Sequence, residues 1–130
     1  MVAVDTNVLV RLLTEDDPKQ AAAAKLLFAS EEILIPKTVL LEAAWVLRSL
    51  YGFEEREICD VFRKLLGLEN VQAEDQTSVA SALKLAAFGL EFADALHLSS
   101  SPAARFVSFD RALVRRARRA GVANVSEVAP

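Results

Sequence analysis

Short apolar runs alternate along the chain with longer segments in which apolar residues recur at helical spacing. The apolar runs are typical of buried strands and lie at Val2–Val4, Ile33–Ile35, Val71–Ala73 and Phe106–Ser108. Val122–Val125 is expected to add an edge strand. Strands that alternate with helices are the signature of a parallel sheet with helices on both faces. The pattern therefore predicts an α/β fold.

Turn and capping residues delimit the helical segments. Asp17 and Pro18 suit the N-cap and first turn of a helix, and Gly52 suits the residue after a helix end. No internal repeat, low-complexity tract or linker divides the chain, so we expect one domain over residues 1–130. The predicted helices are Asp5–Leu13, Pro18–Leu27, Thr38–Tyr51, Glu54–Leu66, Thr77–Phe88, Ala93–Ser100 and Asp110–Ala120.

The composition supports a folded domain and narrows its class. The chain has 130 residues, a net charge of −3 and 53% hydrophobic residues, which argues against disorder. The longest apolar candidate, Ile33–Leu47, contains Pro36, Lys37 and Glu42, so no membrane span is expected. No signal peptide is recognised, and the one cysteine, Cys59, excludes an intrachain disulfide. We expect a cytoplasmic protein.

The sequence lacks the motifs of several kinds of active site. The four glycines are isolated, which excludes a dinucleotide fingerprint and a P-loop. The only histidine is His97, which excludes the two-histidine zinc motifs. No Gly-x-Ser-x-Gly elbow is present. The candidate chemistry that remains is carboxylate chemistry.

Four acids stand where a solvated surface acid is not expected. Asp5 directly follows a predicted strand and Asp110 comes two residues after another, where the functional edge of a parallel sheet lies, although each could simply cap the next helix. Glu42 lies in an almost wholly apolar helix that should be largely buried, unless it turns to solvent or pairs with a cation. Asp94 has equally apolar neighbours and could also be an N-cap.

Converging carboxylates would repel one another unless a cation lay among them. Hard oxygen ligands, without thiolates or a second histidine, favour Mg²⁺ or Mn²⁺. Such an ion can bind phosphate oxygens and activate water for attack. The residues thus indicate metal-dependent phosphoryl transfer and leave the substrate open.

Arginines cluster towards the end of this acidic chain. Six of the fifteen residues from 105 to 119 are arginines, and Arg111, Arg115 and Arg118 share one face of the predicted last helix. This face suits a phosphate backbone. It could equally be a solvated face that favours the helix C-terminus, or a contact for an acidic partner segment.

Four blocks in order along the chain resemble PIN-domain proteins, especially VapC-type toxins of bacterial toxin–antitoxin pairs. The first is Val2–Leu13, which continues through Asp16–Pro18. The second joins a strand, Pro36 and a helix with Glu42, and the others are Phe92–Leu98 and Val107–Asp110.

The resemblance implies a three-layer sandwich with a central parallel sheet of four to five strands flanked by helices. It also implies Mg²⁺- or Mn²⁺-dependent endonucleolytic cleavage of RNA, a homodimer, and inhibition by a small antitoxin that covers the acidic pocket. Asp5 and Asp94 would be the principal metal ligands, and Glu42 a ligand or the residue that orients the attacking water. Asp110 would hold the metal directly or through water. Thr6, Asn7 and Ser108 match the small polar residues that accompany these acids.

Two other classes compete with this interpretation. A phosphatase with an aspartyl nucleophile usually has a second Asp two residues on, where this chain has Asn7. A catalytically inactive RNA- or protein-binding module could share the fold, although all four acids are present.

Overall fold

Five short strands and seven helices alternate along the chain in the computed structural model, which describes residues 1–130. They belong to two compact units, Met1–Gln76 and Thr77–Pro130. The first unit contains β1 (Val2–Ala3), α1 (Thr6–Thr14), α2 (Pro18–Ser30), β2 (Ile33–Ile35), α3 (Lys37–Tyr51), α4 (Glu55–Leu66) and β3 (Val71–Ala73). The second contains α5 (Gln76–Ala86, starting at the boundary), α6 (Phe92–Ser99), β4 (Phe106–Ser108), α7 (Arg111–Arg119) and β5 (Val125–Glu127).

All strand pairs are parallel, as the sequence predicts, but they form two sheets. In the first unit the order is β1-β2-β3, with Ile33 opposite both Val2 and Val71. In the second unit β4 pairs with β5, with Phe106 opposite Val125. The predicted single sheet of four to five strands is therefore wrong. An apolar run predicts a strand but not its partner, and strands of two or three residues carry too little pattern to specify pairing.

The last strand also differs from the prediction, because it spans Val125–Glu127 instead of Val122–Val125. Gly121 has a φ of 96°, and the Val122 N–H donates to the Ala117 carbonyl, which closes the end of α7. The Asn124 side chain donates to the Pro102 and Ala104 carbonyls. Residues 122–124 are thus occupied in a turn, and the strand begins after them.

Three helices begin at an aspartate that caps them. In each case Oδ1 accepts a hydrogen bond from the main-chain N–H three residues later, which satisfies one of the free donors of the first turn. Capping is therefore confirmed for Asp5 and Asp110 as well as for Asp17. The pairs are Asp5 with Val8 (3.0 Å), Asp17 with Gln20 (3.1 Å) and Asp110 with Leu113 (3.0 Å).

Helix α3 begins differently, because its N-cap residue is Pro36, whose side chain makes no capping hydrogen bond. The Lys37 N–H donates instead to Oε1 of Glu74, at 2.9 Å, from the chain just after β3. The Lys37 ammonium also pairs with Asp75 at 2.9 Å. A residue far along the sequence thus caps this helix.

The core of each unit is built from the apolar positions of the predicted pattern. In the first unit α1 packs against α2 and α3, and both Ile33 and Ile35 of the central strand are fully buried. Phe92 and Val114 are fully buried in the second unit. No helix is both long and apolar enough to cross a membrane.

Candidate active site

Asp5 lies just after the carboxyl end of β1, at the edge of the three-stranded sheet. The strand ends at Ala3, and α1 begins at Thr6, so Asp5 stands in the sharp connection between them. Its side chain is exposed, and Oδ1 accepts a hydrogen bond from the Val8 N–H. The cap fixes the carboxylate in place while Oδ2 remains available to a ligand.

A pocket of about 420 Å³ opens beside Asp5 between α1 and α2. Four of its lining residues are polar or charged, and the other four are small or aliphatic. A pocket with an apolar lining and a few polar groups at one end is the usual form of a binding site. Its lining residues are Asp5, Asn7, Val8, Arg11, Gln20, Ala23, Ala24 and Leu27.

Arg11, which lines the pocket, is held by three side chains. Its Nε donates to Gln20 Oε1 at 2.8 Å, and Nη1 donates to Asp16 at 2.8 Å and to the Tyr51 hydroxyl at 3.2 Å. Tyr51 in turn donates to Asp16. The hydrogen bond from Tyr51 and the Arg11 guanidinium both lower the pKa of Asp16. The Asp16 carboxylate in turn raises the pKa of Arg11. The ion pair thus fixes a cation at the pocket wall.

Glu42 lies in the second turn of α3, and its side chain is exposed. The sequence suggested a buried acid because its neighbours are apolar. The helix instead buries Leu40, Ala43, Ala44 and Leu47, and leaves Glu42 and Trp45 outside that stripe. Glu42 therefore turns to solvent in this chain, as one of the two simpler interpretations predicted. Exposure also leaves its carboxylate accessible to a ligand.

Asp94 is the third residue of α6 and is half-buried. The alternative that it caps this helix is wrong, because Glu91 occupies the N-cap position and makes no side-chain capping bond. The neighbours Phe92, Ala95 and Leu96 are buried, so a carboxylate stands at the margin of the core of the second unit.

Ser108, Phe109 and Asp110 form a tight turn between β4 and α7. The Asp110 N–H donates to Ser108 Oγ at 2.9 Å, and the Asp110 carboxylate caps α7 through Leu113. Ser108 thus positions Asp110 through its main chain. Asp110 itself is exposed, like Asp5 at the equivalent place after β1.

The arginines of α7 lie on its exposed surface, and Leu113, Val114 and Ala117 form the buried stripe. Arg118 donates from Nε and Nη2 to the Val125 carbonyl, at 3.3 and 3.2 Å, which ties α7 to β5. Arg111 approaches Glu127 at 3.9 Å. Arg115 is exposed and forms no ion pair. Of the predicted face, Arg111 and Arg115 present the most accessible charge.

Comparison with known families identifies the fold that carries these residues. A model of the PIN domain matches residues 2–119, which include parts of both units and all four acids. The chain belongs to the PIN domain family. PIN is a nuclease fold, and PIN nucleases generally use divalent metal ions and bind RNA. No curated protein matches this chain.

The four predicted acids fit a hard metal ion in their chemistry. Asp5, Glu42, Asp94 and Asp110 supply carboxylate oxygens, which Mg²⁺ and Mn²⁺ prefer. Asp5 and Glu42 belong to the first unit, and Asp94 and Asp110 to the second. In this structure no group of three or more His, Cys, Asp and Glu side chains is arranged to hold a metal ion.

Three features of the candidate site were missed from the sequence. The ion pair of Arg11 with Asp16 involves Tyr51, which is 35 residues away from Asp16, and no local pattern connects them. The pocket between α1 and α2 depends on how the helices pack. The exposure of Phe109 was also missed, although its alternation with half-buried Phe106 and Ser108 along the strand could have indicated it.

Proposed function

We propose that this PIN domain is a divalent-metal-dependent endoribonuclease and the toxin of a toxin–antitoxin pair. The observation that carries the proposal is the paired placement of Asp5 and Asp110. Each follows a parallel strand, caps the next helix through Oδ1 and stays exposed. Glu42 and Asp94 add the remaining carboxylates at the positions that match the family motif. We further propose that both units form a single domain over residues 1–130, because the family match includes parts of both.

The four acids would hold Mg²⁺ or Mn²⁺. When bound, such an ion neutralises charge at the scissile phosphate and lowers the pKa of a water molecule, which favours hydrolysis of the P–O bond. Glu42, being exposed, is suited to orient that water or to bind the ion. Ser108 fixes the Asp110 main chain, and Asn7 and Thr6 flank Asp5 at the start of α1. Arg111, Arg115 and Arg118 would attract the RNA backbone.

The surface of the first unit supports the partners that we propose. The pocket beside Asp5 gives an antitoxin segment an apolar recess next to a site carboxylate and the Arg11 cation. Trp45 and Leu50 on α3 are exposed apolar side chains, and we propose that a second copy of the chain covers at least one of them. Cys59 is buried as a free thiol, in keeping with a cytoplasmic protein.

The first experiment compares capping aspartates that share one local geometry. Asp5→Asn, Asp110→Asn and Asp17→Asn each retain a side-chain oxygen that can cap the helix, because Asn caps as well as Asp. All three variants should keep the thermal midpoint of the wild type. Labelled total RNA with Mn²⁺ or Mg²⁺ should be cleaved by the wild type and by Asp17→Asn. Asp5→Asn should lose at least about 100-fold in rate, a loss typical of removing a transition-state electrostatic group.

The result is decisive in both directions. The nuclease would be established if cleavage depends on the metal, is lost in Asp5→Asn and Glu42→Gln, and is retained in Asp17→Asn. Cleavage that survives both changes would come from a contaminant or from another site. RNA binding without cleavage by the folded wild type, in either metal, would instead indicate an inactive binding module.

A further inference from the structure

Phe109 is one of the most exposed large apolar side chains of the second unit. Phe109 is 69% exposed, and Val107, two residues earlier in β4, is 45% exposed. Exposed single apolar residues are common on proteins, so exposure alone indicates no function. The position of Phe109 between Ser108 and Asp110 distinguishes it, because these are two of the residues that match the family motif.

Hydrogen bonds hold the main chain on both sides of Phe109. The Ser108 carbonyl accepts from the Val128 N–H at 2.9 Å, and the Ser108 hydroxyl accepts from the Asp110 N–H at 2.9 Å. Asp110 is held in turn by its cap on α7. The ring therefore stands on a rigid turn at the end of a strand. A preorganised aromatic group loses little conformational entropy when a ligand covers it.

Exposed arginines surround this ring in the sequence. Arg111 follows two residues later with its side chain 74% exposed, and its nearest carboxylate, Glu127, lies at 3.9 Å. Arg105 and Arg115 are exposed and form no ion pair. Proteins bind single-stranded nucleic acid by combining an exposed aromatic ring with arginines, because bases stack on the ring and arginines contact the phosphates. Phe109 and the arginines close to it in sequence supply both kinds of side chain. A protein partner would more often meet a wider apolar surface than one ring among cations.

We propose that Phe109 stacks on an unpaired base of the RNA whose backbone lies at Asp110. This inference rests on the proposed function and deepens it, because it assigns a base-contacting residue to the same site. In a duplex both faces of a base are covered by its neighbours, so the ring can stack only on a base in a loop, bulge or single strand. Phe109 is thus a binding and specificity residue.

Binding in EDTA tests the stacking separately from cleavage. The probe is a labelled single-stranded hexaribonucleotide, followed by fluorescence anisotropy, together with versions in which one base at a time is removed. Phe109→Ala should weaken binding about 5- to 150-fold, the range found for one base–aromatic stack. Phe109→Trp should bind as the wild type does or more tightly. Phe109→Leu, which is apolar but has no ring face, should bind as weakly as the alanine variant.

Phe88→Ala is the matched control, because Phe88 is 60% exposed in the same unit and has no arginine near it in the sequence. It should change binding by no more than about twofold, the additivity expected of an independent site. Removing the base that stacks should weaken wild-type binding as much as Phe109→Ala does. Removing the same base should weaken the binding of the Phe109→Ala variant very little. Both changes delete the same interaction, so the second has little left to remove.

Three results would overturn the proposal: equal binding by Phe109→Ala and Phe88→Ala, wild-type binding by Phe109→Leu, or no base position coupled to Phe109. A change in oligomeric mass with unchanged RNA binding would also overturn it, because the ring would then contact protein. If the wild type cleaves and Phe109→Ala cleaves equally, the nuclease stands and the stacking fails. If neither the wild type nor any variant cleaves RNA but one base position is coupled to Phe109, the stacking proposal is supported and the proposed nuclease activity is contradicted.

Discussion

Arg11 shows how a single residue can be fixed by partners both near to it and far from it in sequence. Asp16 comes from the turn before α2, and Tyr51 from the last residue of α3. Together they hold the guanidinium at the wall of the pocket that Asp5 also lines. The sequence alone does not predict this ion pair and its hydrogen bonds, because the contact with Tyr51 arises only when α1 and α3 pack together.

Replacing Tyr51 by Phe should raise the pKa of Asp16 towards its ordinary value, because the hydrogen bond from Tyr51 contributes most to the lowering. The lowered pKa stabilises the fold above the unfolded-state pKa of about 3.9, and this contribution is lost as the pH falls through the lower folded pKa. In Tyr51→Phe the loss of stability with acid should therefore be smaller. Carboxyl NMR titration and urea unfolding between about pH 2 and 6 measure both effects. An unchanged pKa of Asp16 would contradict the prediction.

At the scale of elements, the helices were the most predictable part of the chain. Asp17, Pro18 and Gly52 mark helix ends through local geometry, and α2 and α3 end or begin within a few residues of the predicted bounds. The positions of the first four strands were also predictable, but that of the last strand was not. The division of the strands into two sheets was not predictable either, because pairing depends on contacts that are distant in sequence. For the same reason the sequence suggested Asp5, Glu42, Asp94 and Asp110 as site candidates but not the burial of each side chain.

The cap of α2 can be tested without disturbing the proposed site. Asp17→Ala should lower the free energy of unfolding by about 0.5–2 kcal/mol, because the Gln20 N–H loses its acceptor. Asp17→Asn should lower it by less than about half of that, since the amide oxygen accepts the same bond. Urea unfolding of both variants gives the comparison. Equal losses in the two variants would mean that the charge of Asp17, and not the cap, stabilises α2.

At the scale of the whole molecule, the four acids are divided equally between the two units. A metal ion that binds the proposed carboxylates should stabilise the folded chain by mass action, by about 2.7 kcal/mol at a metal concentration 100 times the Kd. We expect Mn²⁺ to raise the thermal midpoint of the wild type and of Asp17→Asn. Asp5→Asn and Asp94→Asn should each abolish most of the rise, and EDTA should reverse it. A rise that persists when one unit's acids are changed would place the ion within the other unit.

The distant cap on α3 also bears on the way this chain folds. Helix α3 has no capping side chain of its own. The Lys37 N–H can form its hydrogen bond only after Glu74, which is 37 residues further along, has come close to it. Closing so long a loop is slow compared with forming a local turn. The first turn of α3 should therefore become protected from hydrogen exchange only together with β3. Opening that strand should expose both, so that they exchange as one cooperative segment.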